Sequence, residues 1–181
     1  MLPQAQRLAF ACSPWLLAAL LCTGCATATD TPAETAPARP RTERPVAFDF
    51  GTTDGRRFSH RDARGRVTAI LFVTTYDTPS QLQARRLDGI ARRLGGRINA
   101  AAVVLEPPKY AVLADVFRST LELSYPVAVS GGSVEQPAGG FGRIDRVPTL
   151  VLLDRDGREV FRFSGLISPR DIEREIVAAG R

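Results

Sequence analysis

Residues 67–74 read Val-Thr-Ala-Ile-Leu-Phe-Val-Thr, a nearly unbroken β-branched and apolar run. A strand with one wet face alternates apolar and polar residues. One without alternation is buried on both faces, at the centre of a sheet that other layers cover. Residues 98–105 form a second such run. Between the two, Leu87, Ile90, Ala91 and Leu94 recur at helical spacing over residues 79–95, and Gly95 and Gly96 supply the stop.

The flanking segments extend this pattern. Residues 46–50 and 56–58 flank an Asp54-Gly55 turn and read as a hairpin. Pro107 and Pro108 open a helix predicted to run through Leu121. A short strand follows over 125–129, then a glycine-rich loop over 131–142. Residues 149–153 and 160–163 flank the turn Asp154-Arg155-Asp156-Gly157, and Ser168 caps a last amphipathic helix ending at Ala179. The predicted fold is α/β: a mixed central sheet flanked by helices on both faces, with an N-terminal hairpin extension. About 135 residues suffice for one such core.

The front of the chain is different. Residues 1–25 carry one charge, Arg7, then an apolar stretch around Trp15, then the small residues Thr23 and Gly24 before Cys25. This is the layout of a secretory signal, short for a spanning helix and interrupted by Pro14, with an uncleaved anchor helix as the alternative. The run from Cys22 to Cys25 resembles a bacterial lipobox, although Cys22 stands where leucine is usual. The resemblance implies lipidation of Cys25 and anchorage to a membrane of the bacterial cell envelope, facing the periplasm or the exterior. Residues 26–45 hold four prolines among small polar residues and read as a disordered tether. The globular domain is predicted over 46–181.

The cysteines are Cys12, Cys22 and Cys25, all in the export segment. The domain therefore has no thiol of its own and can form no internal disulfide or thiolate metal site. His60 is the sole histidine and has no cysteine partner, so no metal and no cofactor are expected. Net charge is +5, and +4 once Arg7 is removed with the signal. Lys109 is the only lysine and aromatics do not interleave with the arginines, so nucleic acid is not an expected partner. Arg85, Arg86, Arg92 and Arg93 read as a solvated face of the first helix, or as an attraction to anionic envelope surfaces. The 131–142 loop lacks the strand-then-helix setting of a phosphate loop.

Three runs, in this order and spacing, resemble the thioredoxin superfamily, and most closely its exported TlpA-like and redoxin (AhpC/TSA-related) branch. They are the opening hairpin and turn from Asp54 to Val67, the stretch from Leu121 to Val127, and the stretch from Arg146 through Pro148 to Gly157. The resemblance runs from Val46 to about Val177. In that family the central strand leads into W-C-x-x-C at a helix start, where amides and the helix dipole favour the first thiolate and the second thiol resolves the mixed disulfide. Here Tyr76 aligns with the tryptophan, Asp77 with the first cysteine and Ser80 with the second, while Pro79 is kept. Gln83 stands where many relatives carry a glutamate, and its helix face points inward. None of the replacements can exchange thiols. Peroxidase chemistry lacks its cysteine too, Gln81 standing where that residue belongs after Thr78, and a copper-chaperone reading lacks all its ligands.

Asp77 reads as a helix N-cap accepting the Ser80 amide, or as a binding carboxylate in the old groove; the two are compatible. Pro148 resembles the family's cis-proline, beside which relatives pair backbone with an extended substrate; alternatively it only shapes its loop. The implied binding groove comprises Tyr76, Asp77, Thr78, Pro79 and Ser80 on one side and Arg146, Val147, Pro148 and Thr149 on the other, with an extended segment of an envelope protein as partner. A redox role through borrowed thiols and a purely structural lipoprotein remain the alternatives.

Overall fold

The computed structural model describes residues 42–132 and 136–181. The export segment 1–25 with Cys25, and residues 26–41 of the tether, lie outside the described residues. In chain order the elements are β1 (Asp49–Thr52), β2 (Arg57–Ser59), β3 (Thr68–Val73), α1 (Thr78–Leu94), β4 (Asn99–Val104), α2 (Ala111–Thr120), β5 (Val127–Val129), β6 (Thr149–Leu153), β7 (Glu159–Ser164) and α3 (Pro169–Ala179). Short 3-10 turns precede α2 (Pro108–Tyr110) and break the glycine-rich loop (Gly139–Phe141). None of the described helices is long and apolar enough to cross a membrane.

The seven strands form one mixed sheet in the order β2-β1-β5-β4-β3-β6-β7. The two unalternating runs, β3 and β4, are neighbours in parallel, with Ile70 opposite Ala101, and every residue of β3 is buried. β6 runs antiparallel to β3, with Phe72 opposite Thr149. That register sets the end of β3 and the start of β6 at one end of the sheet.

The sequence suggests helices on both faces, and here the structure differs. Ala84, Leu87 and Ile90 of α1, Ala114 and Phe117 of α2, and Ile172 and Ile176 of α3 all join one core with Leu71, Val73 and Leu150. The steps β3 to β4 and β4 to β5 both move the same way across the sheet. Two right-handed crossovers in one direction put both helices on one face. Among the described residues, the other face is covered by loops: Val46 and Phe48 ahead of β1, and Ala138, Phe141 and Ile144 of the long loop, around Phe72 and Phe50. Phe141 meets Phe72 edge-on with centroids 5.2 Å apart and Phe48 at 5.3 Å. The layer depends on Gly140, whose amide donates to the Ala47 carbonyl at 2.7 Å; a Cβ there would stand 2.5 Å from that oxygen.

Boundaries shift in three places. β1 starts at Asp49, later than residue 46, although Val46 and Phe48 are buried. β5 starts at Val127, later than Tyr125, whose ring is buried and whose hydroxyl donates to the Ala84 carbonyl of α1 at 2.8 Å. The packed unit also begins earlier than residue 46: the Thr42 amide donates to the Glu159 carbonyl at 3.1 Å and Pro45 bridges Arg158. Tether-like composition thus extends into residues that pair with the edge strand β7.

Candidate functional site at the start of α1

Beyond β3 the chain runs through Thr74, Thr75 and Tyr76 to Asp77, the extended residue that caps α1. One Asp77 carboxylate oxygen accepts from the Ser80 amide at 2.9 Å and the Ser80 hydroxyl at 2.6 Å. Pro79 sits in the first turn, where a missing N–H costs nothing. The cap expected from the sequence is therefore formed, through one carboxylate oxygen of Asp77.

Three more contacts fix the loop. The Thr74 amide donates to the Ser80 hydroxyl oxygen at 3.4 Å. The Gln81 side chain donates to the Thr75 carbonyl at 3.0 Å. Glu106, just past β4, accepts from both the Thr75 amide (2.5 Å) and the Thr75 hydroxyl (2.7 Å). Glu106 is buried. Nothing in its local sequence marks it, since its role arises only because β4 lies beside β3.

Gln83 is fully buried, as its helix face requires. Its carbonyl oxygen accepts from the Ile167 amide at 3.1 Å, while Arg86 donates to the Ile167 carbonyl at 3.1 Å. Helix α1 thus holds both backbone groups of one residue in the β7–α3 connection. The Gln83 side-chain N–H group and the Thr74 hydroxyl are buried without a partner among the described residues. Of the four arginines read as a solvated face, Arg85, Arg92 and Arg93 are exposed, with Arg93 paired to Glu173 of α3 and Arg92 to Asp88 (2.5 Å) and the Glu122 carbonyl (2.6 Å), while Arg86 is half-buried and bonded to Ile167.

The second wall comes from the start of β6. The Val147-Pro148 bond is cis. Pro148 and Thr149 are buried, Val147 is half-buried and Arg146 is exposed. The Thr149 hydroxyl donates to the Arg146 carbonyl at 2.6 Å and lies 2.7 Å from the Ser164 hydroxyl. Neither the amide nor the carbonyl of Val147 bonds to another described residue. The Gly165 amide donates to the Pro148 carbonyl at 2.7 Å, at a φ of +111° that favours glycine. That bond ties the residue before Leu166, which is 44 % exposed, to the start of β6, a neighbour the sequence reading misses.

Of the residues the sequence nominates, Tyr76 (77 % exposed), Thr78, Pro79, Arg146 and Val147 face solvent at this end, and Asp77 partly so. Ser80, Pro148 and Thr149 are buried and support the surface from beneath. At this end of the sheet the exposed surface thus carries an aromatic residue, Tyr76, a partly exposed carboxylate, Asp77, and a guanidinium, Arg146.

No protein-family model and no curated protein matches this sequence. Solved structures do. A DsbF homologue from Corynebacterium diphtheriae superposes with a TM-score of 0.67 at 16 % identity, covering 82 % of this chain and 96 % of its own. A thiol:disulfide interchange protein of the thioredoxin family from Chlorobium tepidum gives 0.62 at 22 % identity, covering 80 % and 99 %. A secreted disulfide oxidoreductase from Mycobacterium tuberculosis, homologous to Escherichia coli DsbE, gives 0.59 at 15 % identity, covering 73 % and 96 %. Identity at this level establishes fold. The chain has a thioredoxin-like fold, with a mixed seven-stranded sheet and three helices among the described residues.

Proposed function

We propose that this chain is a lipid-anchored module of the bacterial cell envelope that binds an extended segment of another envelope protein, without thiol chemistry. The observation that carries the reading is the pairing of an exposed aromatic, Tyr76, with the unspent backbone groups of Val147 at one end of the sheet. A chain laid beside Val147 gains backbone hydrogen bonds, and its apolar side chains gain Tyr76 and Leu166. The structural neighbours include secreted and thiol:disulfide interchange proteins, which supports an extracytoplasmic site of action.

Thiol exchange needs a thiolate nucleophile. Residues 26–181 hold no cysteine, and the two motif positions carry Asp77 and Ser80 bound to each other. The groove reading keeps the family's shape and drops its chemistry. Calorimetric titration of a partner segment into the wild type and Tyr76→Ala tests it. A drop in affinity at Tyr76 supports the groove, and equal affinities would leave a purely structural lipoprotein as the better account.

A further inference from the structure

We propose that a hollow beside the groove, on the far side of Pro148, is a carboxylate-binding subsite that takes an acidic residue of the extended segment. This inference rests on the groove reading above. The hollow has a volume of about 240 Å³, and Arg143, Asp145, Arg146, Thr149, Arg162 and Ser164 are among the residues that line it. Liquid water takes roughly 30 Å³ per molecule, so an aspartate or glutamate head group fits after displacing a few waters.

The charges do not cancel within the hollow. Arg143 is paired with Asp145 at 2.9 Å, both largely exposed. The Arg162 side chain is only 11 % exposed, and its Nε and Nη2 each donate to one oxygen of Glu159 at 2.6 Å. Nη2 also donates to the Phe141 carbonyl at 3.0 Å, while Nη1 has no acceptor among the described residues. Arg146 has no acidic partner and no side-chain acceptor among them. Three guanidinium groups therefore face two carboxylates, and the unmatched one adjoins Val147.

The remaining polar groups orient the site without competing for its ligand. Because the Thr149 hydroxyl donates to the Arg146 carbonyl, the Ser164 hydroxyl donates to Thr149. Both hydroxyl protons are spent, and the Arg146 backbone is pinned at the rim. The donors left for an anion are guanidinium N–H groups, whose fork matches a carboxylate in geometry and charge.

The topology explains why groove and hollow would act together. Thr149 lies opposite Ser164 in the β6–β7 pairing, and Thr149, Val151 and Leu153 share the sheet face covered by loops. Leu150 and Leu152 point to the helical face, where Leu166 precedes α3. An extended chain at Val147 sends alternate side chains to opposite sides. One set meets Tyr76 and Leu166. The other set meets the arginine hollow, so the favoured segment alternates apolar and acidic residues.

The test is a selection of random displayed peptides on the full-length chain in detergent, followed by titration of a selected peptide into the wild type, Tyr76→Ala, Arg146→Gln and Arg146→Glu. Arg146 is exposed, so melting curves of its variants should overlay the wild type. The expected outcome is enrichment of Asp or Glu at one fixed position, weakening by about tenfold in Arg146→Gln and further in Arg146→Glu, and loss of affinity with added salt. Peptides that need Tyr76 but show no acidic position, or bind Arg146→Glu unchanged, overturn the hollow and leave the groove standing. Acidic peptides that need Arg146 but not Tyr76 support the hollow and overturn the groove. Failure to select any peptide counts against both.

Discussion

Asp77 and Ser80 are bonded to each other twice, the carboxylate accepting both the amide at 2.9 Å and the hydroxyl at 2.6 Å. These are the positions at which the thioredoxin-like motif carries its two thiols. The helix start survives because its requirements are independent of redox chemistry. An acceptor at the N-cap satisfies a free amide of the first turn, and the Ser80 hydroxyl, which donates to that acceptor, takes the Thr74 amide in turn.

Asp77→Ala should therefore cost stability before anything else. An N-cap aspartate contributes about 1 kcal/mol, up to roughly 2, and the buried Ser80 hydroxyl loses its acceptor as well. Asp77→Asn keeps an acceptor and should lose much less. Urea unfolding of the two variants checks this. An Asp77→Ala midpoint equal to wild type would mean the cap contributes nothing.

The helix start should also accept thiols again. A helix N-terminus lowers a thiol pKa, and a second cysteine one turn on is placed to close on the first. The double variant Asp77→Cys, Ser80→Cys should form an intramolecular disulfide under mild oxidation. The processed wild-type protein should not accelerate insulin reduction by dithiothreitol. Wild-type turnover, or a double variant that stays reduced, would count against this account of the site.

Asp88 should contribute to the loss of stability in acid. Burial alone would raise its carboxyl, but the Ser124 hydroxyl at 2.6 Å, the Arg92 guanidinium at 2.5 Å and the Ser124 amide at 2.7 Å outweigh burial and hold it below the usual carboxylate value. A depressed folded-state pKa stabilises the fold at pH values above the unfolded value, about 3.9, and that contribution is lost as pH falls through the folded value. Asp88→Asn should be less stable at neutral pH and should flatten the acid limb between about pH 4 and the folded pKa. Thermal melts across that range check it. Parallel acid limbs in wild type and variant would remove Asp88 from the explanation.

The anchor is tested separately from the domain. Mass spectrometry of the mature N-terminus from a bacterial host should find Cys25 as the first residue, carrying two or three acyl chains. A start at Ala26 or later without lipid would make the chain a secreted protein and leave the groove untouched.

Much of this structure is legible in the sequence, and the parts that are not share a cause. The caps at Asp77 and Ser168 are local, set by one side chain and an amide three residues on, and both form. The inward position of Gln83 follows from its spacing to Leu87 and Ile90. Glu106 and Leu166 are not legible, because each matters through a residue far along the chain: Thr75 for one and Pro148, by way of Gly165, for the other. Arg86 misleads for the same reason: it looks like part of the solvated face that Arg85, Arg92 and Arg93 do form, until the β7–α3 connection folds against it. The sequence suggests a second helical layer that the structure lacks, because no periodicity announces that both crossovers step the same way.

The central claim is that the groove binds an extended chain through Tyr76 and Val147 with no thiol involved. The direct measurement is calorimetric titration of a selected partner peptide into wild type, Tyr76→Ala and Val177→Ala, with and without dithiothreitol. Val177 is also an exposed apolar residue (58 %), but it lies near the end of α3, whose following Gly180 approaches Val67 at the opposite end of β3. Tyr76→Ala should weaken binding by about 1–3 kcal/mol, the usual cost of truncating an aromatic anchor. Val177→Ala should bind like the wild type, and the reductant should change nothing. Equal affinities for wild type and Tyr76→Ala, or binding abolished by dithiothreitol, would contradict the account.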